Sequence, residues 1–229
     1  MSRKIGIIVE GAGEIDAISS LIGKVDSVHE IKGTPLRADL QPKATPMVIA
    51  RSARSQVLTW CRRGVDSILI LIDREDHPCA VQFSQELRTA FNKLYSDTKI
   101  DFQVVVKDKS IENWLIADPV ALKTMTARFK VSAAFEKAIQ NKCCDSITNP
   151  IDLLNSISIK KRYHKGDDPA SICKQQNPLR AAANSRSYRK LLRELGSKQY
   201  ATQSKYPHTS PRAKTFGQKI LKEKVLNAA

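Results

Sequence analysis

Apolar residues along this chain fall into two kinds of run, and the difference predicts its elements. Residues 4–9 (KIGIIV), 67–72 (SILILI) and 100–106 (IDFQVVV) are continuous and largely β-branched, the pattern of strands buried on both faces. Between them apolar positions recur at helical spacing. Residues 14–22 (Ile15, Ile18, Leu21, Ile22), 48–63 and 80–95 (Val81, Phe83, Leu87, Phe91, Leu94) read as helices, and another begins over 111–117. The stretch 30–45, rich in Gly and Pro, leaves room for a short strand at 34–40. Alternation of strand and helix with short connections predicts an α/β fold, a mainly parallel sheet flanked by helices. Right-handed crossovers then place the carboxyl ends of the strands on one edge.

After about Pro119 the strand signals stop. Helical segments are predicted at 121–129, 133–141, 151–157, 168–174, 179–183 and 187–195. A polar loop at 199–214, with Pro207 and Pro211, precedes a last helix through Val225. The expected organisation is an α/β core over residues 1–118 and a basic helical region over 119–229, packed on that core or continuing it.

Charge sharpens this division. The net charge is +15, and it is unevenly placed. Residues 1–150 hold 21 Lys and Arg against 18 Asp and Glu, whereas residues 151–229 hold 17 against 5. Such asymmetry points to a polyanionic partner, DNA or RNA, because each cation that meets a phosphate releases a condensed counterion. A solvated basic surface is the plainer alternative. No stretch approaches the roughly 20 apolar residues of a membrane span, so no membrane association is expected. The amino terminus reads as a strand rather than a signal peptide, since its apolar run ends at Glu10. Five cysteines without a C-x-x-C pair suggest neither a disulfide framework nor a zinc ribbon. Both features fit a cytoplasmic protein.

The candidate chemistry lies at the strand ends. Glu10, Asp73, Glu75 and Glu112 fall at or just beyond three of them, with Asp76 beside the middle pair. In an open α/β sheet that edge lines the crevice where ligands bind. Asp73 and Glu75, two apart, would project to one side of an extended segment. Carboxylates converging on one crevice repel each other, and a Mg²⁺ or Mn²⁺ ion would resolve the conflict while leaving positions for phosphate oxygens and water. A lone acid at a strand end also serves as a cap or turn former; three strand ends together favour the metal. Lys107 and Lys109 are placed to neutralise charge on a transferring phosphate, or else are surface charges. His77 would support a metal-bound carboxylate or shuttle a proton, or else simply help form the turn. Gly11 and Gly13 do not complete G-x-G-x-x-G, with Ile15 and Asp16 at the place of the third glycine, and no G-x-x-x-x-G-K-S/T is present.

These residues carry a resemblance. V-E-G after the first strand and an acidic pair after a later one resemble the TOPRIM domain of topoisomerases, primases and OLD-family nucleases. Glu10 matches that family's glutamate and Asp73 its first aspartate; Glu75 replaces the second. More specifically, I-I-V-E-G, L-I-D-R-E-D, V-V-V-K-D-K-S-I-E-N-W-L-I-A-D and S-R-S-Y-R-K-L-L resemble a bacterial family of TOPRIM-like proteins, over about residues 4–195. Those proteins are similar to the nuclease half of OLD proteins and are often encoded beside AAA or ABC-type ATPases in defence islands. The resemblance implies a Rossmann-like TOPRIM core, a metal-dependent nuclease acting with a partner ATPase in antiphage defence, and possession of up to two ions, with Glu112 at the place of the acid that helps hold the second. Lys165, Arg189 and Lys190 are further candidate phosphate contacts from the basic region, with ordinary helix-surface charge an equal reading of Arg189 and Lys190. The alternative function is a non-catalytic nucleic-acid-binding adaptor of an ATPase complex.

Overall fold

The three apolar runs form the three long strands of one sheet. The computed structural model describes residues 2–140 and 142–200. Its strands are β1 (Lys4–Val9), the two-residue β2 (Glu30–Ile31) and β3 (Leu36–Arg37), β4 (Ser67–Asp73) and β5 (Asp101–Lys107). Their order is β2–β1–β4–β5, with β3 also on β1, and every pairing is parallel. β2 lies beside Lys4 and Ile5, and β3 beside Ile8 and Val9, so the two short strands share one flank of β1. The register sets Asp73 directly opposite Lys107 at the carboxyl edge.

Period-two alternation divides the strand residues between two apolar layers. Ile8, Ile68, Ile70, Ile72, Phe102, Val104 and Val106 face α2 (Pro46–Ser52), α3 (Arg54–Arg62) and α4 (Ala80–Leu94). Gly6 belongs to this face because Trp60 lies on it: a Cβ there would meet the indole at 2.5 Å, and Trp60 Nε1 donates to the Ile7 carbonyl at 3.1 Å. Ile5, Ile7, Val9, Leu69, Leu71 and Val105 face the other way, toward α1 (Ala12–Ile22) and α5 (Ile111–Leu115).

That second layer also contains the helices described after residue 118. α6 (Pro119–Thr124), α7 (Ala133–Ile139), α8 (Pro150–Ile157), α9 (Asp168–Gln175), α10 (Pro178–Asn184) and α11 (Arg186–Glu194) place Leu122, Phe135, Leu154, Ile172, Ala181 and Leu191 in the same cluster as β1. Polar side chains tie the loops down. Asn113 donates to the carbonyls of Cys144 and Ile147, and buried Asp145 accepts from the Ser185 and Ser187 hydroxyls and the Ser187 amide. Asp118, without solvent exposure, caps α6 and takes both arms of Arg180.

Two predicted helices differ from those observed. Residues 48–63 are broken at Ala53, and the Ala50 carbonyl beside the break accepts from the Tyr95 hydroxyl at 2.8 Å. The helix predicted at 121–129 ends as α6 at Thr124. The polar loop from residue 201 onward and the last helix lie outside the described residues. Among the described residues no helix is long and apolar enough to cross a membrane.

Candidate active site at the carboxyl edge of the sheet

β1, β4 and β5 end side by side, and their last residues meet around one lysine. Lys107 has no solvent exposure, although its side chain ends in a charge. Its ammonium forms an ion pair with Asp73 Oδ1 at 2.9 Å and donates to Glu14 Oε1. Burial works against that charge, but Asp73 and Glu14 more than offset it and hold the lysine above its ordinary pKa. Glu14 stands in the first turn of α1 and is 7% exposed. Burial pushes its carboxyl up, against the pull of Lys107.

Glu10 completes the group. It follows β1 directly, and its Oε2 accepts from the Asp73 amide at 3.2 Å. Burial, and then repulsion from Asp73, push its carboxyl up to about 7 despite Lys107. Two carboxylates therefore hold the ammonium, and a third, Glu10, stands beside them on the Asp73 amide. The sequence reading missed Glu14, although an acid in the first turn after the strand was the available signal. Lys107 is neither the phosphate contact nor the surface charge expected from the sequence, because a lysine sealed from solvent and held by two carboxylates is an internal counter-ion.

Asp73 also belongs to a cleft of about 480 Å³ that Glu75, Asp76, Lys109, Glu112 and Lys165 help line. Glu75 and Lys109 stand on its rim with φ of 49° and 78°, left-handed conformations that cost energy for residues with a Cβ and that cluster at functional sites. Residues 74–77 form a turn closed by the His77 amide on the Arg74 carbonyl at 3.1 Å. This corrects the extended geometry expected for Asp73 and Glu75. Asp76 is exposed and pairs with Lys43 at 3.2 Å. His77 stacks on Phe83 with ring centroids 3.6 Å apart and bonds to the Pro42 carbonyl, so it holds the turn.

Glu112 is 2% exposed, and its Oε1 accepts from the Tyr163 hydroxyl at 3.2 Å. Tyr163 was not singled out from sequence, and nothing local marks it. Its loop reaches the cleft because Arg128 grips it, taking Asp168 with two nitrogens and the carbonyls of Ile159, Lys161 and Arg162. Gly13 admits the loop: a Cβ there would meet the Lys165 carbonyl at 2.5 Å.

Arg189 and Lys190 do not belong to this surface. Arg189 is 2% exposed and donates to the Ala182 carbonyl at 2.6 Å, while Lys190 reaches Ser84 at 3.1 Å. Arg189 falls on the inward side of α11 and half-buried Lys190 turns toward α4, so neither is the phosphate contact or open surface charge expected from the sequence.

Residues 9–196 match the family described as Domain of unknown function (DUF4276). The chain belongs to the DUF4276 family. No curated protein and no solved structure matches it. The DUF4276 match begins at Val9, one residue before Glu10, and so takes in every carboxylate of the site.

The donor set suits a hard divalent cation, being carboxylate oxygen throughout. Glu14 Oε2 is buried without a hydrogen-bond partner, an acceptor with capacity to spare. Among the described residues no group of three or more His, Cys, Asp or Glu is already arranged to hold a metal ion. Lys107 occupies the centre of the acids instead.

Proposed function

We propose that this protein is a metal-dependent nuclease of the TOPRIM type, hydrolysing phosphodiester bonds in DNA or RNA. One observation carries the reading: Glu10, Glu14 and Asp73 converge on the carboxyl edge of a parallel sheet, where Glu10 is pushed up to about 7. Structural ion pairs have little use for a third carboxylate held up to about 7, only about half ionised in neutral solution. A cation-binding site does.

Glu10, Glu14 and Asp73 would hold a Mg²⁺ or Mn²⁺ ion, with Glu75, Asp76 and Glu112 across the cleft available to a second. The ion would supply Lewis acidity toward phosphate and an acidified water. The remaining residues have roles of their own. Lys107 holds Glu14 and Asp73 in place, Tyr163 orients Glu112, and Lys109 and Lys165 offer cations where phosphate would enter. The resemblance adds a partner ATPase and a role as effector in antiphage defence.

The test is incubation with Mg²⁺ or Mn²⁺ and plasmid, single-stranded DNA and tRNA, beside Asp73→Ala and with the candidate ATPase added. Cleavage by the wild type alone supports the reading, and equal cleavage by both proteins sinks it. A non-catalytic nucleic-acid-binding adaptor is the second reading, favoured by the way Lys107 already pairs with Glu14 and Asp73. Titration calorimetry with Mn²⁺ separates the two, since an adaptor shows no carboxylate-dependent uptake.

A further inference from the structure

An acidic cleft repels the polyanion it is proposed to cut, so cations must come from nearby. Of the 17 Lys and Arg after residue 150, six lie beyond residue 200. Arg180, Arg189 and Lys190 are spent on Asp118, a backbone carbonyl and Ser84. The remaining concentration is one segment, Lys160-Lys161-Arg162-Tyr163-His164-Lys165, in which every residue except Tyr163 is exposed.

This segment is built rather than merely solvated. Arg128 holds the main-chain carbonyls of Lys161 and Arg162, each at 2.8 Å, and the Asp168 carboxylate. Asn155 Oδ1 accepts from the Tyr163 amide at 2.9 Å, and the Tyr163 ring turns inward to Glu112. Lys160 sits at φ 67°, a conformation that a free loop would relax. The main chain is fixed and the cationic side chains are left outward. At its far end Lys165 forms part of the cleft wall. No ion pair occupies Lys160, Lys161, Arg162 or Lys165 among the described residues, whereas His164 faces Asp167.

We infer that residues 160–165 form a preformed grip for the phosphodiester backbone of a nucleic acid, leading the strand into the acidic cleft. The inference rests on reading that cleft as a nucleic-acid site. Rigid presentation lowers the ordering cost of binding, and uncompensated cations supply the counterion-release term. Contacts of this kind read charge and spacing rather than base sequence.

The test is fluorescence anisotropy of the full chain in EDTA with labelled single-stranded DNA, RNA and duplex DNA of about 20 nucleotides. Lys160→Gln/Lys161→Gln/Arg162→Gln is compared with Arg51→Gln/Arg54→Gln/Arg62→Gln, which removes equal charge from the opposite sheet layer. Because Arg128 holds carbonyls and not these side chains, the loop variant keeps the loop. The loop variant should lose on the order of tenfold or more in affinity at ~100 mM salt, and its log K against log salt slope should fall by about 2 to 3. The control should change less than twofold. Equal losses in both variants, no loss in the loop variant, or no binding by the wild type would overturn the assignment. So would equally tight, loop-dependent capture of poly-glutamate, which would point to an acidic protein. Since no metal is present, loop-dependent binding without Mn²⁺ uptake elsewhere would remove the nuclease reading and leave the grip standing.

Discussion

Lys107 is the residue on which the acids depend. Breaking a buried ion pair from one side leaves the other charge unpaired, at about 3–5 kcal/mol. Lys107→Met should lose stability of that order in urea unfolding at neutral pH. A cation that takes over the ammonium's place would raise the melting temperature of this variant more than that of the wild type, and calorimetric scans with and without Mn²⁺ would read the difference. Glu10 sets the pH dependence. Its carboxyl is raised from 4.5 to about 7, so the metal-free folded chain holds a proton that the unfolded chain releases. Its stabilising contribution is full below about pH 4.5 and is lost as pH rises through 7. A cation must displace that proton, so Mn²⁺ affinity should rise by up to about tenfold per pH unit toward pH 7 and level off above it. Glu10→Gln should flatten the profile. Glu10 and Asp73 were legible in the sequence because they end apolar runs; the partnership with Glu14 and Lys107 was not, since nothing local says which side chains share a crevice.

At the scale of elements, the loop between α8 and α9 sits where it does because α1 carries no side chain at residue 13. Gly13→Ala brings a methyl to within 2.5 Å of the Lys165 carbonyl, a main-chain atom that cannot simply turn aside. The expected cost is about 1–3 kcal/mol, with the loop pushed off the cleft. Hydrogen exchange should show lost protection over 160–168 and little change in β4. The long strands and α4 were readable because burial on two faces and an amphipathic stripe leave strong periodic patterns. The turn at 74–77 was not, because its conformation is stabilised by His77 stacking on Phe83, a contact across a later helix. Likewise, the break at Ala53 lies beside a carbonyl bonded to Tyr95, a residue outside the pattern of 48–63.

Across the whole molecule, one apolar cluster joins β1 and β4 to α8, α9, α10 and α11. Removing residues 119–229 would strip α6 to α11 from one face of the sheet and leave only α1 and α5 packed on it. The fragment 1–118 should show no cooperative transition by circular dichroism or thermal scanning, and a sharp two-state melt from it would show that the core stands without the helical layer. The excess of cations after residue 150 was visible in the composition. Its division between an inward face of α11 and an outward loop was not, because burial is a property of the fold.

The sequence by itself determined the parallel α/β sheet, the long strands and the edge where the acids lie, because buried strands and amphipathic helices must show their periods locally. Only the tertiary structure decided that Lys107 pairs with the acids, that Glu14 joins them and Arg189 does not, and that the loop at 160–165 reaches the cleft through Tyr163 and Lys165. Each depends on contacts between segments far apart in the chain, and side-chain charge and desolvation take effect only once those segments have been brought together.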